Sequence, residues 1–347
     1  MKILIIKRDK IGDMLLTTPM LQHLRRSLPS AEIHLLANDY NAWVVSNNPN
    51  IDRLWVYPRV RIGRKIRLTA AFKQLWQILQ LRREHFDVAL AAGGEESLRA
   101  IRRALRVGAK RVIAYCDDEA LKNQLTDPLK APNSNHEIDR MLGLLIPLGI
   151  PLPASPIYPH YDLPAVWHQF AVNWVTERNL KSNTYIVLGL GARRSNRQPT
   201  PQQVLRWCAH FKERYNLTTV FMWTPGKSDN PLYPGDDDIA QPVLDNHVPY
   251  IHPFRGPIMP ALGLIWHART SIFPDSGFMH FAAASPGGVL GLFAASRSSP
   301  SPKQWGPRGI KADYLEAETT VPDISDAELY QRIEKLIFRR VPETTNL

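Results

Sequence analysis

Cysteine is nearly missing from this chain of 347 residues: Cys116 and Cys208 are the only two, far apart and without CxxC spacing. A disulfide framework and a cysteine-ligated zinc site therefore lack the residues they need, and both thiols read as ordinary core residues. Long hydrophobic runs are missing too. No apolar stretch approaches the ~20 residues of a membrane-spanning helix, and charged residues, 22% of the chain, interrupt every candidate. The opening MKILIIKRDK has too short an apolar core for a signal peptide and no small-residue cleavage site, so it reads as the first β-strand of a cytoplasmic protein. What is present is 44% hydrophobic residues over a length that suits two domains of ordinary size.

Acidic residues are scarce in one half only. Residues 1–160 hold 24 Lys+Arg against 15 Asp+Glu, and residues 161–347 hold 19 against 17, so most of the net +11 belongs to the first half. Arg59 to Arg83 contains eight bases and no acid, and Arg99 to Arg111 contains six bases and no acid. A solvated helix face could explain either run; the pair suggests a polyanionic partner, phosphate-rich lipid headgroups or nucleic acid. Against nucleic acid, no aromatic stacking residues interleave with the bases except Phe72 and Trp76, which stand at the spacing of a helix core.

Strand and helix patterns alternate throughout. Strands are expected at Lys2–Ile6, Glu32–Ala37, Asp52–Tyr57 and Phe86–Ala91, with helices over Asp13–Leu28, Tyr40–Ser46, Leu68–Glu84 and Glu95–Arg106. The proline-rich stretch Ile150–Pro164 fits a linker. Alternation then resumes, with strands at Tyr185–Gly189, Thr218–Trp223, Ser271–Phe273 and Gly288–Phe293 and helices at Pro201–Tyr215, Met259–His267, Gly277–Ser285 and Asp326–Phe338. The expected fold class is α/β: two doubly wound, Rossmann-like domains facing each other, over residues 1–155 and 165–322. Residues 323–347 form a last helical segment that could return to the first domain.

Three loops at strand ends carry chemistry. In Lys7–Asp13, a strand ends, Gly12 permits a tight turn, and Asp13 begins a helix. That aspartate reads either as a first-turn acid stabilised by the helix dipole or as a general base for an acceptor hydroxyl. In Pro274–His280, Asp275, Ser276 and Gly277 open a helix whose unpaired N–H groups suit a phosphate, with His280 one turn along. In Gly189–Arg197, Arg194 stands where the third glycine of a dinucleotide fingerprint belongs, which argues against a dehydrogenase. Gly191 with Arg193 and Arg197 suits a diphosphate instead.

KILIIKRDKIGDMLLTTPMLQHLRRSLP at the start, HEIDRMLGLL at His136–Leu145 and DSGFMHFAAA at Asp275–Ala284 resemble, in that order, the ADP-heptose:lipopolysaccharide heptosyltransferase family. These are bacterial inverting glycosyltransferases of the GT-B fold, with two Rossmann-like domains across a cleft. The resemblance implies that Asp13 is the catalytic base and that Asp275, Ser276, Gly277 and His280 hold the donor diphosphate and sugar; the chemistry of their own loop adds Gly191, Arg193 and Arg197 to the donor side. The charge division and the acid-free run place Arg61, Arg64, Lys65 and Arg67, with Gly12, on the side of an acidic glycolipid acceptor, expected at the inner face of the cytoplasmic membrane. No cofactor beyond the nucleotide-sugar co-substrate and no metal is expected: backbone amides and arginines can neutralise the leaving group. There is no DxD motif at an expected strand end, and Asp236–Asp238 reads as the acid run of a helix start.

The chain departs from the family pattern in three places. Arg197–Gln198–Pro199 replaces a Lys-x-Trp-Pro segment, Thr224–Lys227 lacks the glutamate that binds the nucleoside, and Ser285–Pro286–Gly287 replaces Gly-Thr-Pro. These bear on which base and sugar are bound. Alternatives to transfer are a sugar-nucleotide epimerase of similar architecture and a non-catalytic binder of phosphorylated lipid or nucleic acid, for which a carboxylate in the site would be superfluous.

Overall fold

The computed structural model describes residues 1–62, 65–132, 135–191, 194–230 and 234–339. The chain divides into two units, Met1–Asp162 and Leu163–Leu347. The first contains β1 (Lys2–Ile6), α1 (Ile11–Leu15), α2 (Thr18–Ser27), β2 (Glu32–Asn38), β3 (Arg53–Tyr57), β4 (Arg61–Ile62), β5 (Lys65–Ile66), α3 (Leu68–Arg83), β6 (Val88–Ala91), α4 (Leu98–Val107), β7 (Arg111–Tyr115), α5 (Glu119–Lys122), β8 (Asp127–Leu129) and α6 (Glu137–Gly143). Six strands form one sheet in the order β3-β2-β1-β6-β7-β8, every pairing parallel. The short pair β4 and β5 is antiparallel and separate. Ile3 to Ile6 of β1 are wholly buried, as in a central parallel strand covered on both faces.

The second unit repeats the plan with α7 (Ala165–Thr176), β9 (Tyr185–Gly189), α8 (Pro201–Tyr215), β10 (Thr218–Met222), α9 (Asp237–Leu244), β11 (Ile251–Phe254), α10 (Ile258–Trp266), β12 (Thr270–Pro274), α11 (Gly277–Ala284), β13 (Val289–Phe293), α12 (Pro302–Trp305), β14 (Ala312–Glu316) and α13 (Asp326–Phe338). Its sheet runs β11-β10-β9-β12-β13-β14, again parallel throughout. α8 shows why such segments fold as they do. Thr200 and Gln203 make a reciprocal capping box, Pro201 takes the first turn, and Val204, Trp207, Cys208 and Phe211 bury one stripe before Asn216 ends the helix at φ 51°.

Both sheets reverse strand order beside their first strand, between β1 and β6 and between β9 and β12. The loops leaving those strand ends are where an open α/β sheet offers a ligand its crevice. The Asp13, Asp275 and Gly191 loops all emerge there.

Several expectations need correcting. The helix expected over Asp13–Leu28 is two helices: Thr17 Oγ1 donates to the Asp13 carbonyl at 2.9 Å, and Pro19 can begin a helix but cannot continue one. α13 buries Leu329, Ile333, Leu336 and Ile337 in the core of the second unit, and Asp326 at its start accepts from Arg206 and Trp207 of α8. It belongs to the second unit. The proline-rich stretch is no free linker: His160 N–H donates to Thr18 Oγ1 at 3.0 Å, and Tyr161 packs edge-on against Trp43. Phe72 and Trp76, read as core, are 74% and 56% exposed.

Candidate functional site

In the first unit the site is built around the end of β1. Its next residue, Lys7, is only 1% exposed. The Lys7 ammonium lies 3.0 Å from Asp9 Oδ2 and 3.8 Å from the Met141 sulfur of α6. Burial opposes its charge, but Asp9, Asp13 and Glu137 together overcome that and hold its pKa above the ordinary lysine value. The loop is pinned from beneath by two buried asparagines: Asn38 Nδ2 donates to the Arg8 carbonyl at 2.6 Å and Asn41 Nδ2 to the Asp9 carbonyl at 2.9 Å.

Asp13 stands in the first turn of α1. Its Oδ2 accepts the Lys10 N–H at 3.1 Å, so the capping role is real. Its Oδ1 accepts no hydrogen bond among the described residues, and the side chain is part-exposed. Partial burial pushes the Asp13 pKa up, with Asp9 adding to the rise, while the Lys7 charge and the Lys10 N–H hold it down without cancelling it. One carboxylate therefore caps a helix with one oxygen and keeps the other open, with a raised proton affinity. Gly12 beside it is buried in α1.

α6 closes the other side. Glu137 Oε1 accepts from Gly94 N–H at 2.7 Å, in the loop after β6. A Cβ on Gly94 would stand 2.1 Å from Glu137 Oε2, so only glycine lets the loop approach that carboxylate. Arg140 bridges to Glu95 at 3.0 Å and to the Asn135 carbonyl at 3.0 Å. Lys7, Asn38, Asn41, Glu137 and Arg140 were not singled out from sequence. A lysine directly after an all-apolar strand was the available signal, because it has to be buried with partners.

Of the basic residues expected to face an acceptor, Arg67 precedes α3, exposed and 3.9 Å from Asp39. Arg61 and Lys65 lie on the β4–β5 pair, their side chains outside the described residues, as is Arg64. The pair follows β3, and the chain leaves β3 at the carboxyl end of the parallel sheet, the end from which the Asp13 loop leaves β1.

In the second unit, Gly191 follows β9 and a Cβ there would lie 3.3 Å from Ser276 Oγ, which explains the small residue. Arg197 Nη1 donates to Asp275 Oδ2 at 3.1 Å, and both side chains are largely buried. Ser276 precedes α11 in extended conformation, and its hydroxyl does not cap the helix. Ser276 Oγ and Arg197 Nε are buried with no hydrogen-bond partner among the described residues. Two such atoms at one helix start are costly in an empty site and suit an anion that accepts from both. His280 is buried one turn along α11. Arg193 lies outside the described residues. Gly191, Arg197, Asp275, Ser276 and Gly277 are thus brought together.

The Asp236–Asp238 run does begin a helix, and it also fastens the loop after β10. Asp236 Oδ2 accepts from Thr224 N–H at 2.9 Å, Asp237 Oδ2 from Gly226 N–H at 3.0 Å, and Asp238 Oδ2 from Ser228 N–H at 3.0 Å. Burial pushes the Asp236 pKa up against the hydrogen bonds from Thr224 and Gln198. The loop that departs from the family pattern is therefore firmly shaped by three consecutive carboxylates.

Other chemistries fit less well. Burial pushes the Cys116 thiol up to about 11 and the Cys208 thiol up to about 12, which removes both as nucleophiles. Among the described residues, Glu32, His34 and Glu84 form one group that could hold a metal ion. The Lys2 ammonium already lies between the carboxylates, 2.9 Å from Glu84 and 3.3 Å from Glu32. Trp55 Nε1–H donates to His34 Nδ1 at 3.1 Å, so Nε2 carries the proton donated to Glu32 and offers a metal no lone pair.

Comparison with known proteins extends this picture over the whole chain. No protein-family model matches. A curated relative, lipopolysaccharide heptosyltransferase 3 of Escherichia coli, is 25% identical over 300 residues, 82% of this chain and 81% of that protein. A glycosyl transferase family 9 structure from Veillonella parvula superposes with a TM-score of 0.80 at 19% identity, covering 97% of each chain. Escherichia coli ADP-heptose lps heptosyltransferase II superposes at 0.73 with 17% identity, covering 97% of this chain and 98% of that one. Two parallel six-stranded units that superpose on these structures have the GT-B fold. The chain resembles lipopolysaccharide heptosyltransferase 3 in sequence over 82% of its length and heptosyltransferase II in fold over 97%.

Proposed function

We propose that this chain transfers a heptose from ADP-heptose to an acidic lipopolysaccharide-core acceptor, with inversion at the anomeric carbon. The observation that carries the reading is the placement of Asp13 at the switch point of the first sheet, one oxygen fixed by Lys10 N–H and the other open. The acceptor hydroxyl oxygen attacks the anomeric carbon as its proton passes to Asp13. The bond from that carbon to the diphosphate breaks, and the diphosphate leaves with the electron pair. Arg197, Ser276 and the start of α11 receive the growing negative charge, and the backbone near Gly191 approaches it closely. Asp275 holds Arg197 in place, and His280 faces the sugar. No metal takes part in this scheme, since protein donors meet the diphosphate. Gly12 and the basic residues Arg61, Arg64, Lys65 and Arg67 receive the acceptor, a phosphorylated glycolipid of the inner face of the cytoplasmic membrane.

Support for the donor comes from the named relatives, one of which is an ADP-heptose heptosyltransferase. The reading is tested by incubating the protein with ADP-heptose and a heptose-deficient lipopolysaccharide core, following ADP release and the anomeric configuration of the product. Acceptor-dependent ADP release with inversion is the expected result. Turnover of the nucleotide sugar without any acceptor would point to the epimerase alternative, and binding without turnover to the non-catalytic one. Thermal shifts with ADP, UDP, GDP and CDP decide the base independently, since a ligand at 100 times its dissociation constant adds about 2.7 kcal/mol.

A further inference from the structure

α3 is packed the wrong way out for a water-facing helix. At about 100° per residue, Leu68, Phe72, Leu75, Trp76 and Leu79 fall within an arc of about 100°, and all five are exposed, Leu68 by 70% and Phe72 by 74%. The opposite side is the one the fold uses. There Ala70 and Leu81 are buried, Gln74 Nε2 donates to the Pro58 carbonyl at 2.6 Å, and Gln77 Nε2 donates to the Val56 carbonyl at 3.0 Å. Arg103 of α4, stacked on the Tyr57 ring at 3.9 Å, donates to Gln74 Oε1 at 2.8 Å. Two glutamines thus fix the rotation of the helix and turn its large apolar side chains outward. An apolar stripe of this length needs a covering partner.

The charge around the stripe identifies that partner. Lys73, Arg82 and Arg83 border it, exposed and in no ion pair among the described residues, and the whole of Arg59 to Arg83 contains no acid. A second copy of the chain seated on this face would set these bases against one another. A surface of apolar chains beneath negative headgroups satisfies the stripe and the bases at once. We infer that the outward face of α3 is a docking surface for an anionic lipid bilayer, with Phe72 and Trp76 entering the interface and Lys73, Arg82 and Arg83 meeting the headgroups. The inference deepens the acceptor side of the proposed function by naming how the chain reaches a lipid-bound acceptor.

The test is co-sedimentation of the full chain with phosphatidylcholine vesicles, with and without phosphatidylglycerol. Binding is expected only when phosphatidylglycerol is present. The double variant Phe72→Ser/Trp76→Ser is expected to bind about tenfold more weakly or less, since each side chain gives up an apolar burial. Its thermal transition and its ADP release on a lipid-free acceptor fragment should match wild type, because neither residue touches the site. Brominated lipids should quench part of the tryptophan fluorescence, and Trp76→Phe should remove that part while binding persists. Undiminished sedimentation of the double variant, or quenching unchanged in Trp76→Phe, overturns the inference. So does a dimer at micromolar concentration that the double variant abolishes, which would assign the face to a second copy. Failure of the transferase reading shows differently: no ADP release from any form, with vesicle binding intact.

Discussion

At the scale of single residues, the proposed chemistry turns on Asp13 and the Lys7 charge beside it. Asp13→Asn retains the Lys10 contact through its amide oxygen and loses the base. Turnover should fall by on the order of 10²–10⁴ with the thermal transition and ADP binding unchanged, as a steady-state assay beside a melt would show; near-wild-type turnover would leave Asp13 as a cap alone. Because the Asp13 pKa lies above the ordinary carboxylate value, the acid limb of kcat/KM should lie above the ordinary aspartate range. Lys7 is the charge that holds that pKa down, so Lys7→Met should move the limb to higher pH. A loss of activity with the limb unmoved would mean that Lys7 only shapes the loop. The sign of the stability linkage follows from the same shift. The folded chain binds the Asp13 proton more tightly than the unfolded one, so this contribution is full below the unfolded pKa and is lost as pH rises through the folded value. Lys7 itself escaped the sequence reading, since a strand followed by a lysine looks like a strand end reaching water. Only the fold brings Asp9, Asp13, Glu137 and Met141 around it.

At the scale of elements, most central strands and long helices were legible and so was the edge strand β3, while the interior strand β7, the helix α7 and three edge strands were not. β1 and β9 were read with their observed bounds because an all-apolar run buried on both faces has few other fates. β8 (DPL), β11 (IHPF) and β14 (ADYLE) were not foreseen; each is short, lies at the margin of its sheet and carries proline or charge, which edges tolerate. α3 was foreseen as a helix, but periodicity reports only that an apolar stripe exists, and the partners of Gln74 and Gln77 decide which face is inward. The destination of α13 likewise depended on partners. Asp326 accepts from Trp207 Nε1–H at 2.7 Å and from Arg206 Nε–H at 2.6 Å, and the Arg206 hydrogen bond holds its pKa below the ordinary aspartate value. Asp326→Ala leaves the buried Trp207 N–H unpaired and should destabilise the second unit by about 1–2 kcal/mol, measured by urea unfolding. The loss should be present at neutral pH and shrink as pH falls through the folded pKa, because a depressed carboxylate stabilises only while ionised. An equal loss at every pH would assign the effect to packing.

At the scale of the whole molecule, the charge division separates two kinds of recognition. Residues 1–160 carry an excess of nine bases and residues 161–347 an excess of two. Under the proposed function the second unit would meet a diphosphate with a few buried donors around Arg197 and Ser276, which bulk salt screens little. The first unit carries eight bases from Arg59 to Arg83, of which Arg67, Lys73, Arg82 and Arg83 are exposed, and there screening acts over roughly 8–10 Å at physiological ionic strength. Replacing Arg61, Arg64, Lys65 and Arg67 by serine should therefore raise the acceptor KM and leave donor affinity alone. Each base near an anionic surface contributes about 1 kcal/mol, so vesicle binding should weaken in the same variant. Added salt should reproduce the selective loss in the wild-type chain, while EDTA should change neither constant if protein donors alone meet the diphosphate. Kinetics with each substrate varied in turn, across a salt series, separate the outcomes. Equal weakening toward donor and acceptor would mean that the two roles are not divided between the units as proposed. No change toward either would return the basic run to an ordinary solvated surface, and the acceptor would then have to be held by the loops around Asp13 alone.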